Sequence, residues 1–321
     1  MAPSTSRSVF AAIDVGTNAV RLELARSGAD GALETFQRER DAIRPGEGVF
    51  THGVMLRETA DRLVGTLRRY AALCQRHDAR VRAVATSAMR EAGNRADILQ
   101  RVSAETGLEL EVVSGQEEAR LICLGVLNRA SPRTRSMVMD LGGGSTEVVL
   151  ATGQRPDALW SLPLGAVRLT ELFDTAGEVT PTRLRQVRGF VEERLYTAFP
   201  RSLADLPRVA LGSSGTIRAV VRFAAEGDSH ATPGQLTRAV EVLAGMSPAQ
   251  RREHFEPQRA DIIVAGAILL EQGVRHLGLE GITAVKRGLR DGLLVELSAS
   301  HRDAAPPPSP RPAFLETLAV G

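Results

Sequence analysis

The sequence predicts an α/β protein built from two duplicated domains with a cleft between them. Three observations carry this. The segment from Phe10 to Ala25, containing Asp14, Gly16 and Arg21, superposes without a gap on the segment from Ser136 to Ala151, containing Asp140, Gly142 and Glu147. Each reads as an apolar strand, a strand-terminal acid, a turn of small and hydroxylated residues, and a second apolar strand. The alternating pattern that follows is also repeated in the second half. Finally, 321 residues suffice for two domains of ordinary size.

Taken in order, residues 9–50 alternate as a meander, with strands near 9–14, 20–26 and 33–44. Leu56, Ala60, Leu63, Leu67, Tyr70 and Leu73 recur at helical spacing between Met55 and Arg76. A strand is expected at 81–85, a helix at 97–105, a strand at 108–113 and a helix from Gly115 to about Leu127. The chain then crosses between domains near 130–135. The second meander covers 136–151 and about 158–165. Helices are expected near 181–198, 214–225, 233–244 and 259–277, a strand at 281–285, and a last helix over 289–300. The domains are thus 1–128 and 129–300, with the last helix returning to the first domain. Residues 301–321 form a Pro-rich tail whose composition predicts disorder.

The repeated loops carry the chemistry. Glycine lets the backbone approach a ligand, and successive N–H groups in a turn form an anion nest. A strand-end carboxylate can hold hydrated Mg²⁺, which takes one or two carboxylates plus waters and phosphates. Alone, Asp14-Val-Gly-Thr-Asn18 would be an ordinary hairpin turn. The run Asp140-Leu-Gly-Gly-Gly-Ser-Thr-Glu147 is more specific, because three glycines weaken a strand unless something approaches the backbone. The in-register pair predicts a two-sided clamp around Mg²⁺ and a phosphate chain.

Composition sets bounds. Apolar residues make up 43% and charged residues 24%, as in soluble globular proteins, and the net charge of +2 demands neither nucleic acid nor an anionic membrane. Lys286 is the one lysine among 40 basic residues, a bias ascribed to coding composition, so only arginines inside motifs are counted. Cys74 and Cys123 lie in apolar helical patterns and read as buried thiols. The histidines are scattered without a metal-binding spacing. Trp160 reads as core. The N-terminus lacks an apolar leader and no run approaches a membrane span, so a cytoplasmic location is expected.

Ser114-Gly-Gln-Glu117 reads as a capping box at a helix start. That assigns Glu117 to structure and leaves Glu118 free in the first turn, where the helix dipole favours its ionised form. An ionised carboxylate beside metal-bound phosphates is a suitable general base for water.

These residues resemble the exopolyphosphatase / guanosine pentaphosphate phosphohydrolase family of the actin–Hsp70–sugar kinase superfamily, which has a ribonuclease H-like fold. The likeness runs from about Ala11 to Leu297. It rests on Asp14–Arg21, Arg44-Pro-Gly-Glu-Gly48, Ala85–Asn94, Ser114–Arg120, Asp140–Glu147, Ser161–Arg168, Gly212-Ser-Ser-Gly-Thr216 and Arg259-Ala-Asp-Ile-Ile263. Some similar proteins carry extra C-terminal helical domains of HD type; this chain looks like the short, two-domain form. It departs from the usual pattern at Thr17 and Ala19, where Ser is commonest, at Pro45 in place of Leu, and at Val285-Lys286 in place of Ser-Asp. The last departure bears on distal substrate contacts.

The resemblance puts the catalytic Glu, the general base, on Glu118. Asp140 and Glu147, with Asp14, are expected to hold Mg²⁺ or Mn²⁺. Gly16, Thr17 and Asn18, with Gly143, Gly144, Ser145 and Thr146, are expected to bind the terminal phosphate. Arg21 is expected to clamp it and assist catalysis, and Arg90 to hold the next phosphate. Gly212, Ser213, Ser214, Gly215 and Thr216 match the superfamily's nucleoside loop, and for polyphosphate would touch a distal phosphate. Arg188, outside every motif, is expected to be a solvated helix charge. The resemblance also implies a homodimer and stimulation by a monovalent cation. The leading function is exopolyphosphatase, releasing orthophosphate from chain ends. The alternatives are removal of the 5′ γ-phosphate of guanosine pentaphosphate, a kinase sharing the fold, and an alarmone-binding regulator without turnover.

Overall fold

The computed structural model describes residues 8–28, 32–199 and 206–303. From residue 304 the expected Pro-rich tail lies outside the described residues. No helix among the described residues is long and apolar enough to cross a membrane.

The first half contains β1 (Val9–Val15), β2 (Val20–Ser27), β3 (Leu33–Asp41), α1 (Val49–His52), α2 (Arg57–Arg76), β4 (Arg80–Ala85), α3 (Ser87–Glu91), α4 (Arg95–Thr106), β5 (Leu110–Val112) and α5 (Gly115–Val126). The second contains β6 (Arg135–Leu141), β7 (Thr146–Thr152), β8 (Arg155–Leu162), α6 (Ala166–Phe173), α7 (Pro181–Ala198), β9 (Val209–Ser213), α8 (Gly215–Ala224) and β10 (His230–Ala231). It continues with α9 (Pro233–Gly245), α10 (Pro248–His254), α11 (Pro257–Ala260), α12 (Ile263–His276), β11 (Gly281–Ala284) and α13 (Leu289–Asp303).

The two sheets have one topology. The first runs β3-β2-β1-β4-β5 and the second β8-β7-β6-β9-β11, with β10 added at its edge. In each, three antiparallel meander strands are followed by two parallel ones. This duplicated α/β arrangement is the one that the resemblance implies.

Local chemistry fixes the helix starts. Thr180-Pro181, Thr232-Pro233 and Ser247-Pro248 each put a hydroxyl N-cap before a proline at the first helical position, and the last two add a reciprocal Gln at the third. The helix α6 begins where a strand end is expected from sequence. The expected helix over 259–277 is two pieces, α11 and α12. The largest core lies in the second half, where α12 is buried nearly all round.

The helices that end the halves exchange places. The apolar face of α5 (Ala119, Ile122, Cys123 and Val126) packs on the second sheet through Val138, Val149 and Ala151. In turn, Leu293 and Leu294 of α13 pack on the first sheet against Phe10, Ala12 and Val84. Glycines let the two helices touch: a Cβ on Gly292 would lie 1.9 Å from Leu121 O, and one on Gly125 would lie 2.1 Å from Gly288 O. Cys74 and Cys123 are buried, and burial pushes both thiols up to about 11. Trp160 is partly buried and packs on Phe199.

Arg188 differs from expectation. Its guanidinium makes two bonds to the buried carboxylate of Glu271, Nε to Oε2 at 2.9 Å and Nη2 to Oε1 at 3.0 Å. A position that looks outward along α7 is covered by α12, to which sequence spacing is blind.

Candidate active site

The two hairpin loops have the same construction. Gly16 N–H donates to Ala19 O at 3.1 Å, and Gly142 N–H donates to Ser145 O at 2.9 Å. Asp14 lies opposite Arg21 in the β1–β2 ladder as Asp140 lies opposite Glu147 in β6–β7. In both loops the carbonyls are tied down from behind. Gly46 and Arg44 N–H groups bind Thr17 O and Asn18 O, at 2.8 and 3.3 Å. The first turn of α6 binds Gly142 O and Gly143 O through the N–H groups of Ala166, Val167 and Arg168. The N–H groups of Thr17, Asn18, Gly143, Gly144 and Ser145 have no partner among the described residues. Each loop is therefore an anion nest held open by its own carbonyls.

The loops meet across the two halves. A Cβ on Gly143 would come within 2.8 Å of Thr17 Cβ, and one on Gly144 within 2.5 Å of Ser87 Oγ. The rim is held by Arg40–Glu256 at 2.8 Å, by Arg44–Asp261 and Arg168–Glu91 pairs, and by Gly48 N–H on Glu171 at 3.0 Å.

Behind the loops lies one cleft, lined by Asp14, Arg21, Glu118, Asp140, the two turns, the start of α8, Arg259 and the segment 286–291. Its carboxylates crowd together. Burial pushes Glu118 up to about 7, with Arg90 pulling the other way and Asp140 and Asp14 adding to the rise. Asp140 is raised by burial, opposed by the Ser213 hydroxyl. Glu147 is raised well above the carboxylate range by burial and then by Glu118 and Asp140. The cations crowd as well. Burial lowers Arg21, and burial beside Arg21 and Arg40 brings Arg259 down to about 10. Arg218 is lowered by burial and by Arg290. Asp14 stands between Arg21 and Arg290, each 3.5 Å away.

Glu147 Oε1 accepts from Ser161 Oγ at 2.8 Å, while its buried Oε2 has no partner. No three acidic, histidine or cysteine side chains among the described residues gather closely enough to hold a metal alone. A cation would therefore complete its shell with water and phosphate oxygens, as Mg²⁺ does. The unpartnered oxygen and the repelling acids fit such an ion.

Several expectations need correction. Glu117 N–H does cap onto Ser114 Oγ at 3.1 Å, but the Glu117 carboxylate does not return the bond; Arg120 holds it twice at 2.7 Å. Glu118 is not a free, dipole-ionised acid: burial outweighs the dipole, and Arg90 Nη1 binds its Oε2 at 2.7 Å. Arg90 thus stands behind Glu118, its other contact being Val113 O at 3.0 Å, and it faces a neighbouring groove with Gln116 and Ser161. The Thr146 hydroxyl is spent on Leu164 O at 2.7 Å. Gly212 is packed under Ile217 and Ile282, off the cleft wall, whereas Ser213, Ser214, Gly215 and Thr216 line it. Glu147 is 1% exposed and lies behind that wall.

Arg218, Arg259, Arg287 and Arg290 line the cleft although none was expected as a site residue, and so does Lys286, noted from sequence only as a departure that bears on distal contacts. The signals were present. Arg259 opens one of the segments carrying the resemblance, and the other four flank motifs already noted.

Comparison with known proteins agrees with this architecture. The chain belongs to the Ppx/GppA phosphatase family, whose profile matches residues 25–301. It is 31% identical to "Exopolyphosphatase 1" of Mycobacterium leprae, with 91% of this chain and 90% of the relative covered. It is 35% identical to "Exopolyphosphatase 2" of Mycobacterium tuberculosis, with coverage of 90% and 98%. The crystal structure of the Aquifex aeolicus member of the Ppx/GppA family is similar at a TM-score of 0.76 and 27% identity, covering 93% of this chain and 99% of that one.

Proposed function

We propose that this protein is a cytoplasmic exopolyphosphatase that hydrolyses the terminal phosphoanhydride bond of inorganic polyphosphate. The observation that carries the reading is the charge layout of the cleft. The buried carboxylates Glu118, Asp140 and Glu147 repel one another, and so do the buried guanidiniums Arg21, Arg218 and Arg259. A metal-bearing polyanion relieves both at once. The names of the relatives point the same way.

Asp140 and Asp14 would hold Mg²⁺ from the cleft wall, with the unpartnered Oε2 of Glu147 reaching it from behind, and the ion would neutralise phosphate charge. Free N–H groups of the two loops, with Arg21 and Arg259, orient the terminal phosphate. Glu118 takes a proton from water as the water oxygen bonds to the terminal phosphorus. The bridging P–O bond breaks, and its electrons leave with the shortened chain. A base near neutral pKa suits this role, and positioning with charge neutralisation dominates phosphoryl transfer. Arg90 acts through Glu118 as a positioning residue.

The test is phosphate release with Mg²⁺ from polyphosphate and from guanosine pentaphosphate, side by side. Faster release from polyphosphate supports the reading. Release from guanosine pentaphosphate alone replaces the substrate, and release from neither overturns the proposal.

A further inference from the structure

Beyond the reaction cleft the wall continues into a second, open chamber. The two share Arg218, Lys286, Arg290 and Asp291, so they are continuous. The chamber adds Arg38 and Arg222 to that set, and Glu23 on the acidic side.

Its charges do not cancel. Glu23 is already engaged: Oε1 accepts from Thr35 at 2.7 Å and Arg38 at 3.0 Å, and Oε2 from Arg290 at 3.4 Å. Asp291 Oδ2 accepts from Gly288 N–H at 2.8 Å. Arg218, Arg222 and Lys286 have no carboxylate partner among the described residues; Arg218 reaches only the backbone carbonyl of Lys286, at 3.4 Å. This contrasts with the rim arginines, which are paired. Three unpaired cations on one concave wall repel one another until an anion enters. The rest of the wall is small (Ala219, Gly227, Ser229 and Ala284) and, among the described residues, offers no aromatic ring on which a base could stack.

We propose that this chamber receives the distal phosphates of an extended polyphosphate chain whose terminal phosphate lies in the reaction cleft, with Arg222 and Lys286 as the contacts that favour long chains. The inference rests on the exopolyphosphatase reading and deepens it. A row of unpaired cations matches a ligand with charge on every unit, and it gives longer chains contacts that short ones cannot reach.

Arg222 suits the test because it is exposed, lacks a partner and lines the chamber without lining the reaction cleft. Phosphate release from tripolyphosphate and from long-chain polyphosphate is measured with Mg²⁺ for the wild type, Arg222→Glu and Arg222→Lys. Arg222→Glu should raise the long-chain KM roughly tenfold, the scale of one lost charged contact plus repulsion. Its kcat and its tripolyphosphate KM should stay unchanged, and Arg222→Lys should behave nearly as wild type. Equal effects on both substrates, or none on the long chain, would overturn the proposal. So would activation of long-chain turnover by added tripolyphosphate that is lost in Arg222→Glu, which marks a separate regulatory anion site. Equilibrium binding of both substrates is measured in parallel on Glu118→Gln, with and without Arg222→Glu. If the wild type releases no phosphate but long-chain binding still depends on Arg222, the hydrolase reading fails and the chamber stands. Binding indifferent to Arg222 removes the chamber.

Discussion

Arg90 Nη1 and Glu118 Oε2 lie 2.7 Å apart, in a pair with both side chains largely out of solvent. The guanidinium opposes the burial that raises the Glu118 carboxyl to about 7. Arg90→Ala should therefore move Glu118 further up. The acid limb of the kcat/KM profile should shift to higher pH, with activity at neutral pH falling more than activity at alkaline pH. A uniform loss at every pH would mean that Arg90 acts otherwise than through Glu118.

Stability should depend on pH with a definite sign. The raised carboxyls of Glu118, Asp140 and Glu147 hold protons in the folded state that the unfolded chain has released. Their favourable contribution is fully present below their unfolded values, about 4. It is lost as pH rises through the folded values, near 7 for Glu118. Thermal unfolding without divalent cations should show this decline. Mg²⁺ should raise Tm more at pH 8 than at pH 5, since it replaces the missing protons. Equal Mg²⁺ effects at the two pH values would contradict the cation site.

The Arg188–Glu271 pair predicts a cost far from the cleft. Arg188→Ala leaves the buried Glu271 carboxylate with Arg275 at 3.8 Å and Gln272 at 3.2 Å. Urea unfolding should show a loss of about 3 kcal/mol, the scale for breaking a buried pair, while KM is unaffected. Arg238, exposed on α9 and without an ion pair among the described residues, is the better control for a solvated arginine.

The crossing of α5 and α13 gives another. Gly292→Ala would drive a methyl into Leu121 O and push the exchanged helices apart. A loss of about 1–3 kcal/mol is expected from overpacking, read by urea unfolding. A neutral substitution would mean that the helices separate freely.

What the sequence made legible was what it wrote locally and twice. The hairpin repeat predicted the matching Asp14–Arg21 and Asp140–Glu147 registers because a strand–turn–strand unit is specified by its own residues. The starts of α7 and α9 fell where the pattern placed them, each at a hydroxyl-proline pair, whereas α10, behind the same kind of pair at Ser247-Pro248, was not expected. Tertiary partners stayed hidden. Arg188 met Glu271 from 83 residues away. The dipole argument for Glu118 missed burial, the larger effect. The helix α6 from Ala166 was not expected, because its N-cap is Gly165, which offers no side-chain signal. Arg218, Arg259 and Arg290 joined the cleft only through folding.

The central claim is that Glu118, and not its neighbour, activates water. Glu117 is held by Arg120 and bonded through that arginine to Glu296. The direct measurement is steady-state phosphate release from polyphosphate by Glu118→Gln and Glu117→Gln. Glu118→Gln should bind substrate normally and lose roughly 10²–10⁴ in kcat, the usual scale for a general base, together with the acid limb near pH 7. Glu117→Gln should lose little. Equal losses at the two positions, or a Glu118→Gln enzyme that keeps its turnover and its pH profile, would contradict the account.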